Sequence, residues 1–181
     1  MIQSKIYMRE NIDKDVIVQM FHEKYFDDIT LARSLIKKLD YKNDPNLLVH
    51  IATSYFDEGK LRLAERYSFK AITLDPLNSR VLWILALIKW DYGQFDNAIF
   101  CFQEIIRIGT KRIDKCGIDE TKEIAIARIN DSKLQLYRLL INDLPSVAKR
   151  YLKQYEKGRQ NGTFTMLDFY YQQIKLEISP T

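Results

Sequence analysis

The side chains that most often carry catalysis or bind metal ions are sparse in this chain. His22 and His50 are the only histidines and lie far apart, and Cys101 and Cys116 are the only cysteines. No spacing typical of a zinc site occurs, and neither a phosphate-binding glycine loop nor a nucleophilic serine motif is present. We therefore predict a protein that is not an enzyme and that takes no metal and no cofactor.

The same residues indicate where the protein is found. Cys101 lies within a predicted helix and is expected to be a small buried side chain, and no disulfide framework is indicated. Residues 1–10 lack the apolar core of a signal peptide, and no run of about 18 apolar residues indicates a membrane span. A reducing, cytoplasmic location is the expectation.

Composition predicts one folded, all-α domain over residues 1–181. The hydrophobic fraction is 46% and the aromatic fraction 12%, which excludes general disorder. Six glycines and four prolines, without long stretches of alternating apolar and polar residues, favour helices over strands.

The formal net charge of +4 is unevenly distributed. Residues 1–110 hold 15 basic and 15 acidic residues, whereas residues 111–181 hold 13 basic and 9 acidic residues. Because these basic residues are scattered among acids and not interleaved with a stacking platform, we predict a solvated surface and consider a nucleic-acid partner unlikely.

The helices that must position any functional surface are organised by an internal repeat of 34 residues, with one copy at 45–78 and the next at 79–112. In each copy the apolar residues fall at helical spacing, and a glycine divides the copy into two helices. We predict breaks near Gly59, Pro76 and Gly93. The paired positions include Leu48 with Leu82, Ala52 with Ala86, Gly59 with Gly93, and Ala64 with Ala98.

The small residues of the repeat have a mechanical role. Two helices approach closely only where neither carries a bulky side chain, so Ala52, Ala64, Ala86 and Ala98 are expected to be buried at helix contacts. The first copy reads Leu48, Ile51, Ala52, Tyr55, Ala64, Ser68 and Pro76, and the second reads Leu82, Leu85, Ala86, Lys89, Ala98, Phe102 and Thr110.

These residues resemble the tetratricopeptide repeat family, from whose pattern Ser68, Lys89 and Thr110 depart. The resemblance implies an α-solenoid of antiparallel helix pairs, a superhelix of about three repeats followed by C-terminal helices. The alternative is an unrelated helical bundle whose self-similarity arises by chance.

The flanking segments complete this organisation. Residues 10–44 read as a degenerate N-terminal repeat whose first helix, about Ile12 to Glu23, carries Val16, Ile17 and Met20. A loop is predicted at 109–120, a degenerate helical hairpin at 121–158, and a C-terminal capping helix at 163–178. Thr165 and Asp168 are spaced as a capping box at the start of that last helix.

The resemblance also implies a binding surface, because in this family the first helix of each repeat lines a concave groove. Carried over position by position, the groove residues are Asn46, Val49, Thr53, Phe56, Asp57, Arg80, Trp83, Leu87, Trp90 and Asp91. If the degenerate repeat begins at Glu10, it adds Lys14, Val18, Phe21 and His22.

The function expected from this surface is that of a protein-interaction scaffold or chaperone-like adaptor that binds a peptide segment in the concave groove. Trp83, Leu87 and Trp90 form one apolar stripe, opposite the stripe of Leu82 and Leu85. A second hypothesis is a self-assembling structural protein, a homo-oligomer formed through the aromatic stripe. A third is that the stripe is covered within the same chain, by the next repeat or by the C-terminal helix at 163–178.

Overall fold

The computed structural model describes residues 2–117 and 120–178, and the described chain is all-α. Met1, residues 118–119 within the predicted loop 109–120, and residues 179–181 lie outside the described part. Nine α-helices occupy the described residues: α1 Ile2–Tyr25, α2 Ile29–Ile36, α3 Pro45–Asp57, α4 Leu61–Leu74, α5 Ser79–Asp91, α6 Phe95–Ile108, α7 Lys122–Leu140, α8 Pro145–Gln160 and α9 Asp168–Ile178. None of these helices, as far as the described residues extend, combines the length and apolarity needed to cross a membrane.

The four helices predicted from the repeat are confirmed. α3 to α6 break at the three predicted places. At the first glycine, Gly59 adopts a φ of +70°, its N–H donates to the Phe56 carbonyl at 2.8 Å, and the Lys60 N–H donates to the Tyr55 carbonyl at 2.9 Å. This is a Schellman end, which requires a left-handed residue and therefore favours glycine. Gly93, with a φ of +69°, repeats it after α5.

Contacts divide the chain into two compact units, unit 1 over Met1–Ile84 and unit 2 over Leu85–Thr181. The boundary falls within α5. The domain boundaries predicted from the sequence stay predictions.

In unit 1 each helix packs against its neighbour in the chain: α1 against α2, α2 against α3, and α3 against α4. The core includes Phe21, Ile36, Leu48 and Ile51, each no more than 2% exposed. Ala52 and Ala64 are 1% and 0% exposed, as predicted from the need for close helix approach.

Short polar side chains fix where the helices of unit 1 begin. Asp28 accepts a hydrogen bond from the Leu31 N–H at 2.8 Å and so caps α2. Asp44 accepts from the Asn46 N–H at 2.8 Å, directly before Pro45 at the first position of α3. Asn78 accepts from the Arg80 N–H at 3.1 Å and caps α5.

In unit 2, α6 packs against α7, and α7 packs against α8. Ala86 and Ala98 are fully buried, again as predicted, and Phe102, Ile105 and Leu134 are fully buried core residues. The Thr121 hydroxyl caps α7, and α8 begins at Pro145, whose position in the first turn leaves no intrahelical hydrogen bond unmade. α7 and α8 thus lie in the segment predicted as a degenerate helical hairpin, while the assignment of 121–158 to one such unit stays a prediction.

The first helix differs from its prediction. α1 extends over Ile2–Tyr25 and is the longest helix, and it turns a different face inward. Val16 and Met20 are 49% and 42% exposed, whereas Val18 and Phe21 are 3% and 2% exposed. Which face of α1 is buried therefore depends on its contacts with the following helices and not on the local spacing of apolar residues alone.

The start of the last helix also differs. α9 begins at Asp168, so Asp168 is the first residue of the helix and not the third, and the capping-box interpretation was wrong. Thr165 Oγ1 instead accepts from the Leu167 N–H at 3.0 Å and donates to Asp131 Oδ1 at 2.5 Å. The Thr165 hydroxyl thus accepts from a backbone N–H before the helix and donates its proton to the carboxylate of Asp131, a charge-assisted hydrogen bond that holds it in place.

Candidate functional site

Of the predicted groove residues, five belong to α3 in unit 1. Asn46 Oδ1 accepts from Asn78 Nδ2 at 2.9 Å, and Val49 is buried at 3% exposed. Thr53 and Phe56 are half-buried, and Asp57 is exposed and accepts from the Tyr25 hydroxyl at 2.6 Å. The α3 positions thus present a mainly polar surface, with Phe56 as its aromatic member.

The other five predicted groove residues lie on α5. Arg80 and Trp83 are half-buried in unit 1, and Leu87 and Trp90 are half-buried and Asp91 exposed in unit 2. Each tryptophan therefore keeps part of its surface accessible. The assignment of all ten residues to one binding groove stays a prediction.

The four optional positions on α1 have separate environments. Lys14 Nζ donates to Asp44 Oδ2 at 2.6 Å, while Val18 and Phe21 belong to the core of unit 1. The His22 ring packs edge-on against His50, with ring centroids 5.2 Å apart. Val18 and Phe21 are corrected from groove positions to core positions, because the inward face of α1 carries them.

His50 is a packing residue. It is 4% exposed and its ring centroid lies 4.8 Å from that of Phe21. Within the described ranges, no group of three or more histidine, cysteine or acidic side chains is placed to hold a metal ion. The two histidines form an aromatic cluster with Phe21.

A buried guanidinium, which the sequence did not single out, organises the end of α3. Arg33 of α2 is 5% exposed, donates to Ser54 Oγ at 3.2 Å and to the carboxylate of Glu58, and lies 3.9 Å from the centroid of the Tyr55 ring. The hydrogen bond from Arg33 lowers the pKa of Glu58. An arginine between the apolar Ala32 and Leu35 on a short helix was the signal that could have revealed it.

The neighbouring Tyr25 shows the opposite effect. Burial, followed by its hydrogen bond to the Asp57 carboxylate, raises the pKa of the Tyr25 hydroxyl. Its proton is therefore held at neutral pH and stays available as a donor to Asp57. Together with Arg33, this contact ties α1 and α2 to the end of α3.

In unit 2 a second guanidinium joins two aromatic rings from different helices. Arg138 of α7 has its guanidinium carbon 4.7 Å from the ring of Trp90 and 4.1 Å from the ring of Tyr170 on α9. Arg138 Nη1 also donates to Gln135 Oε1 at 2.8 Å. We call Trp90, Arg138 and Tyr170 the aromatic–arginine cluster. Both aromatic rings keep part of their surface accessible, since Trp90 is half-buried and Tyr170 is 39% exposed.

The segment before α9 is held in place by Asp131 of α7. Its two carboxylate oxygens accept from the Thr165 hydroxyl and, at 2.9 Å, from the Met166 N–H. Burial raises the pKa of Asp131, an effect that these two hydrogen bonds oppose. Arg159 pairs with Asp168 at the first residue of α9. These contacts fix where Tyr170 lies.

The thiol of Cys101 is inert rather than reactive. Cys101 is 8% exposed, as predicted, and burial raises its pKa to about 11. A thiol with so high a pKa holds its proton at neutral pH and is a poor nucleophile.

No family model matches the chain, and no curated protein matches it.

Proposed function

We propose that this protein is an interaction scaffold, or chaperone-like adaptor, that binds a peptide segment of a partner protein. The observation that carries the proposal is the aromatic–arginine cluster of unit 2. Tryptophan, tyrosine and arginine are the residue types in which binding energy concentrates at protein interfaces. Here one of each lies together, and both rings remain partly accessible.

The physical basis is the combination of apolar area with directional donors. An arginine over an aromatic ring is already oriented, so it loses little conformational freedom when it meets a partner's carboxylate or carbonyl. Arg138 is held in this way by two rings and by Gln135. The half-buried Leu87 lies one turn before Trp90 on α5 and adds apolar surface to the same helix face.

The tetratricopeptide resemblance supports the same function, because Leu87 and Trp90 are among the positions that it assigns to peptide contact. The proposal also includes the concave groove and the superhelix, which the resemblance implies, and the cytoplasmic location, which the sequence predicts. The absence of an enzymatic activity remains part of it as well.

Selection from a displayed peptide library against the full chain tests this function. Peptides selected on the wild-type chain should bind the Trp90→Ala variant at least tenfold more weakly, because a central aromatic anchor contributes about 2 kcal/mol or more. Phe100→Ala serves as the control, since Phe100 is 60% exposed on α6 and outside the cluster. Selected peptides that bind Trp90→Ala and the wild type equally would contradict the proposal.

Self-assembly is the second candidate function, and exposed apolar side chains near the C-terminus favour it. Phe164, Phe169 and Leu176 are 63%, 69% and 79% exposed. Large apolar side chains in contact with water are a frequent mark of association surfaces. Light scattering across a dilution series distinguishes the candidates, because a monomer at micromolar concentration excludes self-assembly as the function.

A further inference from the structure

The helix α8 carries an unusual concentration of positive charge. Its residues include five basic side chains, Lys149, Arg150, Lys153, Lys157 and Arg159, and one acidic side chain, Glu156, so its formal charge is +4. That equals the formal net charge of the whole chain. The excess of positive charge in residues 111–181 is thus concentrated in this one segment.

Four of these cations lie exposed on one face. Lys149, Arg150, Lys153 and Lys157 are exposed, and within the described residues none of the four forms an ion pair. We call these four residues the α8 cationic face. The remaining charges of the helix are engaged elsewhere: Arg159 pairs with Asp168, and Glu156 accepts from the Tyr171 hydroxyl at 3.0 Å.

The spacing of the α8 cationic face makes the charges repel one another. Lys149, Lys153 and Lys157 follow each other at steps of four residues, so they form a row of about 12 Å along the helix. Like charges at this spacing destabilise a helix. A polyanion bound to this face would therefore relieve the repulsion between its positive charges. Asp143, an exposed acid, lies in the turn before α8, beyond the Lys149 end of the row.

An open cleft runs beside this row. It has a volume of about 200 Å³ and is lined by Val147, Arg150, Tyr151 and Gln154. All four residues belong to α8, and Val147 and Gln154 each lie three and four residues from the adjacent Arg150 and Tyr151. The cleft therefore follows the helix axis and shares Arg150 with the cationic face. It places an aromatic ring next to the positive charges.

The chemistry of this face selects among polyanions. An amphipathic helix that binds a membrane needs large apolar side chains beside its cations, and the exposed positions between Lys149 and Lys157 hold only Gln154 besides the cations. Protein interfaces are depleted in lysine and are centred on apolar anchors. Nucleic-acid phosphates, in contrast, are bound by lysine, arginine and glutamine, and free bases stack on tyrosine.

We propose that the α8 cationic face and the Tyr151 cleft bind single-stranded nucleic acid, with the phosphates on the four cations and a base against Tyr151. The sequence-based expectation against a nucleic-acid partner rested on basic residues scattered among acids over 111–181 as a whole. α8 alone holds five basic residues, and the fold leaves four of them exposed on one face. The proposal is independent of peptide binding at the aromatic–arginine cluster, and either can fail without the other.

Fluorescence anisotropy with a fluorescein-labelled 20-nucleotide single-stranded DNA of mixed sequence, titrated with the full chain at several KCl concentrations, tests the proposal. With three to four phosphate contacts, the logarithm of the affinity should fall with the logarithm of the salt concentration with a slope of about −2 to −3. The triple variant Lys149→Gln, Arg150→Gln, Lys153→Gln should bind at least tenfold more weakly at 50 mM KCl and lose about two units of that slope.

A matched control removes the same charge elsewhere. Arg62, Arg66 and Lys70 are exposed on α4 of unit 1, and their triple replacement by glutamine lowers the net charge equally. This control should bind within twofold of the wild type. Equal weakening of both triple variants would overturn the proposal, because net charge alone would then account for binding. Circular dichroism and thermal melts verify that both variants remain folded.

The cleft has its own test. Tyr151→Leu keeps the apolar contact but removes the stacking ring, so the affinity should fall about fivefold or more with an unchanged salt slope. An unchanged affinity would show that no base stacks on Tyr151 and would overturn that part of the proposal. A wild-type chain that binds vesicles containing phosphatidylserine but not the oligonucleotide would overturn the choice of nucleic acid.

Discussion

Gly158 on α8 faces the side chain of Asn130 on α7 at a point where a Cβ atom would lie 2.7 Å from Asn130 Cγ. Asn130 is 2% exposed, and its Nδ2 donates to the Tyr155 carbonyl at 3.2 Å. The glycine is inside a helix, where it lowers helix stability. The glycine is therefore required for space, because a Cβ atom at position 158 would collide with the buried side chain of Asn130.

This relationship predicts that Gly158→Ala destabilises the protein, although alanine is the better helix former. The added methyl group must displace the buried Asn130, at a cost of about 1–3 kcal/mol as measured by urea unfolding. The Asn130→Ala, Gly158→Ala double variant should be more stable than the sum of the single changes predicts. A stabilising Gly158→Ala would mean that the helices separate easily.

A buried serine without a partner leads to a second prediction. Ser68 on α4 is fully buried, and its hydroxyl has no hydrogen-bond partner among the described residues. Ser68→Ala should therefore be neutral or stabilise the fold by up to about 1 kcal/mol, because it removes an unpaired polar group.

Ser54 is the matched control for this change, because it is also fully buried in unit 1 but donates to the Ile51 carbonyl at 2.7 Å and accepts from Arg33. Ser54→Ala should lower the free energy of unfolding by about 1–3 kcal/mol. If thermal melts show the two variants to be equally destabilised, the Ser68 hydroxyl has a partner in solution.

The ion pair between Arg33 and Glu58 makes stability depend on pH. The hydrogen bond from Arg33 lowers the pKa of Glu58 below its ordinary value of 4.5. A carboxylate with a lowered folded-state pKa contributes stability that is fully present above pH 4.5 and is lost as the pH falls through the folded pKa.

Glu58→Gln should accordingly cost about 1–3 kcal/mol at pH 7, and the difference from the wild type should shrink below about pH 4.5. Urea unfolding at pH 7, 5, 4 and 3 measures this difference in the free energy of unfolding, with Asp143→Asn as an exposed-carboxylate control. A difference that stays constant down to pH 3 would show that the pair contributes no pH-dependent stability.

The contact of Arg138 with Trp90 and Tyr170 predicts a spectroscopic change. In a Trp83→Phe background, where Trp90 is the only tryptophan, Tyr170→Ala should red-shift the emission because Arg138 loses one of its two rings and water approaches Trp90. Phe169→Ala removes an adjacent ring that is 69% exposed and should leave the emission unchanged. Identical spectra for the wild-type background and Tyr170→Ala would mean that Trp90 is insulated from α9.

The sequence by itself determined the helices of the repeat and their breaks. Apolar spacing at three and four residues is a local property, and Gly59 and Gly93 are placed where only a left-handed residue ends the helix. The same register predicted which alanines are buried, because two helices can approach closely only where both carry small side chains. These alanines are Ala52, Ala64, Ala86 and Ala98.

Tertiary contact decided the rest. The inward face of α1 was chosen by packing, which buries Phe21 against His50 instead of Met20. The Thr165 hydroxyl, which was predicted to cap a helix, donates to the carboxylate of Asp131, a residue distant in sequence. The approach of Tyr170 and Trp90 to one guanidinium, and the exposure of the cationic side of α8, likewise depend on which faces other helices cover. Local periodicity shows that a helix has faces, but only its neighbours determine which face is buried and which meets a ligand.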